Sequence, residues 1–164
     1  MSTVKTGQRN GIHEALGPLT DALRERLGDR LVAVVLFGSR ARNEAGVNSD
    51  WDLLLIADEL PQKTFDRHLF VKRLLPPAWR GIVSIVAKTP QEFDASVQAL
   101  YLDIALDGVV LADKEKYVTD RLAFLKRQMD ERGLYRKREG EALLWRWQVT
   151  PKGDWSFEWE KALT

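Results

Sequence analysis

Two short apolar runs constrain this chain more than any other feature of it. "LVAVVLF", Leu31 to Phe37, and "WDLLLIA", Trp51 to Ala57, are each continuous and too short for an ordinary helix. Runs of this kind read as strands buried on both faces. A strand covered on both sides needs helices above and below it, so the expected class is α/β, a small mixed sheet backed by helices. At 164 residues and 45% hydrophobic content, the chain has material for one core of ordinary size and too little for two full domains.

The remaining segments supply the helices and a further strand. Ile12, Leu16, Leu19, Leu23 and Leu27 fall at helical spacing with Gly28 as a stop, behind a polar start, "MSTVKTGQRNG", that reads as frayed. Leu60 to Leu75 reads as a helix ended by Pro76 and Pro77, and "GIVSIVAK" as a third strand. Pro90 suits the first turn of a helix running through "QEFDASVQALYLDIAL" to Gly108. Tyr117, Leu122, Leu125 and Met129 mark a charged surface helix closed by Gly133. In the tail, Leu143, Trp145, Trp147 and Val149 alternate on one side of "TPKGD", and Trp155, Phe157 and Trp159 on the other. This predicts a β-hairpin with an aromatic face, open to three uses: packing, a homodimer interface, or stacking of a base or partner. The expected division is a main domain over 1–112 and an appendage of helix and Trp-rich hairpin over 113–164.

Charge and composition exclude some functions. Lys and Arg total 25 against 24 acidic residues, net +1, so no electrostatic footprint for nucleic acid is present. With no cysteine, disulfides, thiol catalysis and thiolate metal sites are ruled out together. No run approaches the length of a membrane span, and the expected location is the cytoplasm. His13 and His68 stand alone on helices without ligand-spaced partners, and "RKRE", Arg136 to Glu139, reads as a solvated face.

The chemistry concentrates in "LFGSRARNEAGVNSDWDLLLIAD", residues 36–58. A glycine directly after a strand lets the backbone turn tightly and lets a ligand approach closely, which fits Gly38. Ser39 offers a hydroxyl beside the unpaired N–H groups where a helix begins, a candidate phosphate cradle. Asp50 and Asp52 stand two apart, so on a strand they share one side. Their repulsion is relieved by a cation, and hard oxygen ligands suit Mg²⁺. Arg40 and Arg42 carry guanidinium forks that match phosphate oxygens. Each part alone also has a plainer reading, a simple turn or a solvated strand edge.

In that order, "GSRARNEAGVNSDWDLLL" resembles the nucleotidyltransferase superfamily that includes DNA polymerase beta, and most of all its minimal bacterial and archaeal members. The likeness spans Ile12 to Lys88. It implies that Gly38 and Ser39 bind a nucleoside triphosphate, ATP first among them, with Arg40, Arg42 and Ser49 fitting the same pattern. It also implies two Mg²⁺ ions at Asp50 and Asp52. The implied reaction moves a nucleoside monophosphate to an acceptor hydroxyl and releases pyrophosphate.

One position departs from that family, which usually carries a third carboxylate on a later strand. Here the matching residue is Ser84, a poor metal ligand and a poor base. Either the site is weakened or Asp103 or Asp107 substitutes. The competing expectation is therefore a nucleotide-binding regulatory or antitoxin-like protein, since minimal members of the family often pair with a small helical partner. A structural protein with an incidental acidic pair is the third reading.

Overall fold

The computed structural model describes residues 2–153 and 155–159, with side chains from residue 6 onward. Four strands form one sheet: β1 (Leu31–Phe37), β2 (Trp51–Ala57), β3 (Val83–Lys88) and β4 (Val109–Asp113), in the order β3-β2-β1-β4. β1 lies antiparallel to both β2 and β4, whereas β2 and β3 run parallel. The sheet is mixed, as expected, and its two central strands are the two apolar runs. Leu31 to Leu36 and Leu53 to Ala57 are all buried.

Alternation along those strands divides the core into two layers. Val34, Leu36, Leu53 and Leu55 meet Leu16, Leu19 and Leu23 of α1 (Ser2–Leu27) and Leu74 of α3 (Thr64–Leu74). Ala33, Val35, Leu54 and Ile56 face the other way. They meet Phe93 of α4 (Pro90–Asp94), Tyr101 and Ile104 of α5 (Ala99–Asp107), and Val118, Leu122 and Leu125 of α6 (Tyr117–Arg132). A four-residue helix, α2 (Gly38–Ala41), follows β1 directly. Among the described residues no helix is long and apolar enough to cross a membrane.

Several expectations are corrected. The polar start is not frayed backbone but the first turns of α1, which begins at Ser2 and continues through Pro18. A helix nucleated by its apolar half extends readily over polar neighbours, because propagation costs far less than initiation. The single helix expected after Pro90 is two. Thr89 and Glu92 close a capping box over α4, the two Nη atoms of Arg67 take the Glu92 carboxylate at 2.7 and 2.8 Å, and Arg121 takes both oxygens of Asp94 at 2.7 Å. The capping box fixes where α4 starts, and the two ion pairs tie it to α3 and α6. The residues after Gly108 form β4, an edge strand that short apolar length had left unassigned. The helix from Tyr117 is less of a surface helix than its charge suggested, since Val118, Arg121, Leu122, Phe124, Leu125 and Met129 are buried.

The C-terminal hairpin exists, and its arm through Leu143, Trp145 and Trp147 is a strand as expected, but the partner arm is a different segment. β5 (Leu134–Glu139) pairs antiparallel with β6 (Ala142–Trp147), so "RKRE" lies on a strand, with Lys137, Arg138 and Glu139 exposed as a solvated face requires and Arg136 half-buried. Glu139 pairs with Ala142, leaving a two-residue turn in which Gly140 takes φ +62°, a tight connection that glycine makes without strain. The segment expected as the second arm packs instead on the body as irregular chain. Asp154 and residues 160–164 of that arm lie outside the described residues. Phe157 is buried, Trp159 Nε1 donates to the Phe93 carbonyl at 3.2 Å, and the Phe93 and Trp159 rings lie 5.3 Å apart. Of the uses foreseen for these rings, packing is the one adopted by Phe157 and Trp159.

Phe93 is fully buried and touches Tyr101, Tyr117 and Trp159. Phe93→Ala is expected to cost about 3–5 kcal/mol, the usual loss for a large ring removed from a core. Urea unfolding followed by tryptophan fluorescence checks this, with Phe65→Ala, whose ring is exposed, near neutral in the same assay.

Candidate functional site

The site lies at one end of the sheet, where β1 finishes and β2, β3 and β4 begin. Phe37 pairs with Asp52 across the β1–β2 ladder, so the chain must reverse at Gly38 within reach of that carboxylate. Gly38 has φ +75°, a left-handed conformation that side chains rarely adopt. A Cβ built there would overlap Asp52 Oδ2 and lie 3.3 Å from its Cβ and Cγ. Glycine is therefore required twice at this position, for the turn and for the close approach of the acid.

Asp52 is half-buried at the start of β2, and Asp50 is exposed just before the strand. Burial pushes the Asp52 carboxyl above the ordinary aspartate range, and the negative charge of Asp50 pushes it the same way, with Arg42 pulling against both. A half-buried carboxylate whose ionisation is opposed by burial and by a neighbouring negative charge is one that a cation relieves. Directly across the β2–β3 ladder from Asp52 stands Ser84, exposed on the edge strand. Asp103 and Asp107, on α5, are engaged elsewhere. Both are taken by Arg136, at 2.8 and 2.5 Å. Among the described residues no group of three His, Cys, Asp or Glu side chains could hold a metal.

The arginines and the serine named from sequence are engaged in folding the loop between the two strands. Arg40 donates from Nε and Nη2 to the Ser49 carbonyl at 2.9 and 2.6 Å, and its guanidinium lies 4.3 Å from the centre of the Trp51 ring. Ser49 Oγ accepts from the Gly46 N–H at 2.9 Å, and the Ser49 N–H donates to the Gly46 carbonyl at 3.1 Å. Together these hold the turn that delivers Asp50 and Asp52. The Ser39 carbonyl accepts from the Glu44 N–H at 2.9 Å. Arg42 Nε reaches Glu44 at 2.9 Å while its Nη1 stays 3.8 Å from Asp107. His13 lies on α1 and His68 on α3, where His68 lines a cavity with Ser84.

Sequence reasoning passed over Arg136 and Arg138. Their signal was alternation, since residues two apart in a strand share a face, but it was legible only once "RKRE" was known to be strand. Arg136 is the half-buried member, and Arg138 pairs with Glu44.

A family model described as "Nucleotidyltransferase domain" matches residues 19–131. A Methanocaldococcus jannaschii relative named "Putative protein adenylyltransferase MJ1305" is 36% identical over 119 residues, covering 70% of this chain and 81% of the relative. Among solved structures, a nucleotidyltransferase from Sulfolobus solfataricus is 24% identical with a TM-score of 0.47, covering 68% of this chain and 89% of that one. A chain from a complex of a tri-AMPylated Shewanella oneidensis HEPN toxin with MNT antitoxin is 16% identical with a TM-score of 0.41, covering 78% and 92%. The family match takes in the bend, the acidic pair and all four strands of the sheet, and on that match and the identity to the archaeal relative this chain belongs to the nucleotidyltransferase domain family.

Proposed function

We propose that this protein transfers a nucleoside monophosphate from a triphosphate, ATP by preference, to a hydroxyl on an acceptor protein, with Mg²⁺ held by Asp50 and Asp52. The observation that carries the reading is the contact of the Gly38 bend with Asp52, which sets a phosphate-accessible turn of bare backbone against a half-buried carboxylate. Membership of the family supplies the triphosphate substrate and, as is usual there, a divalent metal. The choice of adenylyl donor and protein acceptor draws on the name of the archaeal relative, most of whose length this chain spans.

The residues present suit such an ion. Asp50 and Asp52 offer hard carboxylate oxygens, and Ser84 adds no third acid, so water and phosphate oxygens complete the shell, as is common for Mg²⁺. When bound, the metal neutralises charge on the phosphates and orients them. Gly38 and Ser39 present the turn to the triphosphate, and Arg40 with Ser49 keeps the acidic pair in place from behind. In the transfer, the acceptor oxygen forms a bond to the α-phosphorus while the bond from that phosphorus to its bridging oxygen breaks. The electron pair leaves with pyrophosphate and the hydroxyl proton passes to water. Ser84 puts no carboxylate across from Asp52, which favours slow turnover and is the observation behind a second reading, a nucleotide-binding regulatory or antitoxin-like partner protein.

Incubating the protein with Mg²⁺, α-labelled ATP and a cell extract separates the two. Transfer of label to protein, lost by at least about a hundredfold in Asp50→Asn and Asp52→Asn, is the outcome expected of the enzyme, in line with the loss when a key electrostatic contact is removed. Binding without transfer would favour the second reading. Gly38→Ala is expected to abolish transfer and to lower the melting temperature, because its methyl would collide with Asp52 in a backbone conformation alanine resists; labelled transfer and a thermal melt on the same sample check both. Ser84→Asp places a carboxylate across from Asp52 and is expected to raise the transfer rate about tenfold or more at neutral pH, within the range for a positioned base. An unchanged rate in single-turnover measurements would mean that this strand position has no part in the reaction.

A further inference from the structure

The C-terminal hairpin delivers arginines to the same end of the molecule as the bend. Leu134 pairs with Trp147, Arg136 with Trp145 and Arg138 with Leu143, so these six share one face and Tyr135 and Lys137 point the other way. The arginine face looks at α2 and α5. Arg136 is fixed there by Asp103 and Asp107, and Arg138 by Glu44, in the loop just after α2. Between these elements is a cavity of about 260 Å³ whose walls include Arg9, Arg42, Arg136 and Arg138 against only two acids, Glu44 and Asp107.

A latch that merely held the hairpin down would need matched pairs. Here four arginines meet three acids once the Asp103 on Arg136 is counted, the unmatched one being Arg9, which has no hydrogen bond or ion pair among the described residues, and the charges converge on a concave space. Such a space focuses positive potential, and guanidinium forks fit phosphate oxygens. Position argues the same way. β1 lies between β2 and β4, so the cavity, walled by Arg42, Asp107 and Val109, is on the β4 side of the Gly38 bend and the exposed Ser84 on the opposite side. Attack on a phosphorus and departure from it are in line. If the acceptor comes from the open β3 side, the leaving phosphates point toward the cavity.

We infer that this cavity receives the β- and γ-phosphates of the nucleotide, with Arg138 of the hairpin as a binding residue and Arg9 and Arg42 beside it. Arg136, clamped by two aspartates, forms the wall that holds the hairpin in register. Glu44 is the acid that phosphate displaces from Arg138 and Arg42. Arg9, Arg136 and Arg138 all lie outside the residues 19–131 that match the family, so this is an addition made by the flanking segments of the chain. The inference rests on the nucleotide-transfer reading above and identifies how its leaving group is held.

Calorimetric titration of the full chain with Mg-ATP, AMP and inorganic triphosphate tests it. Arg138→Ala is expected to weaken ATP and triphosphate about tenfold, the loss of one charge-assisted contact, and to leave AMP unchanged. Arg138→Lys should recover part of the loss, and Lys137→Ala, on the outer face, should bind like the parent. Glu44→Gln is expected to tighten triphosphate several-fold, since it removes the competing acid; a simple latch predicts no gain, so this variant decides the matter even if Arg138→Ala is poorly folded. A parent that binds ATP with both Arg138→Ala and Glu44→Gln indistinguishable from it overturns the inference and leaves the transfer reading standing. A parent that binds neither ATP nor triphosphate overturns both.

Discussion

Phe37 and Asp52 face each other across the central pair of strands, and most of the rest of the molecule serves that pairing. It fixes where β1 must end and where the carboxylate must be, and so forces the chain to turn at a residue with no side chain. The turn then cannot relax: φ is positive at Gly38, and the acid occupies the volume a Cβ would need. Antiparallel pairing in this register supplies backbone hydrogen bonds on both sides of the bend. The functional geometry is thus a direct consequence of the strand ladder, not of the loop alone.

The loop between the strands is nonetheless held to a single shape. Arg40 grips the Ser49 carbonyl with two donors and lies over Trp51, while Ser49 closes a short turn on Gly46. A guanidinium stacked on an aromatic ring and spent on a backbone carbonyl does more for order than for ligand binding. Residues of one motif therefore play different parts. Gly38 and Asp52 meet at the bend, Arg40 and Ser49 maintain the meeting, and Arg42 lines the arginine-rich cavity.

Ion pairs organise the layer of helices on the same face as Asp52. Arg121 on Asp94, Arg67 on Glu92 and Arg136 on Asp103 and Asp107 join elements far apart in the chain. Arg121 is buried and lies over the Tyr117 ring, and burial pushes the Tyr117 hydroxyl well above the ordinary phenol range. Buried pairs of this kind add little net stability but penalise alternative arrangements, because separating them leaves an unpaired charge out of water. They tie α4 to α3 and α6, and the hairpin to α5.

The amino-acid sequence by itself determined the two central strands, the glycine between them and the two acids after it. Those features follow from local rules: short β-branched runs, period-two alternation, and the freedom of a residue without a side chain. The edge strand β4, the break between α4 and α5, the partners of the hairpin and the fate of Asp103 and Asp107 were decided only in three dimensions. Each turns on a contact between distant residues, such as Val109 with Leu36, Asp94 with Arg121 or Arg136 with Asp107. Local preference carries less than about a kcal/mol per residue, and the burial of a large ring outweighs it.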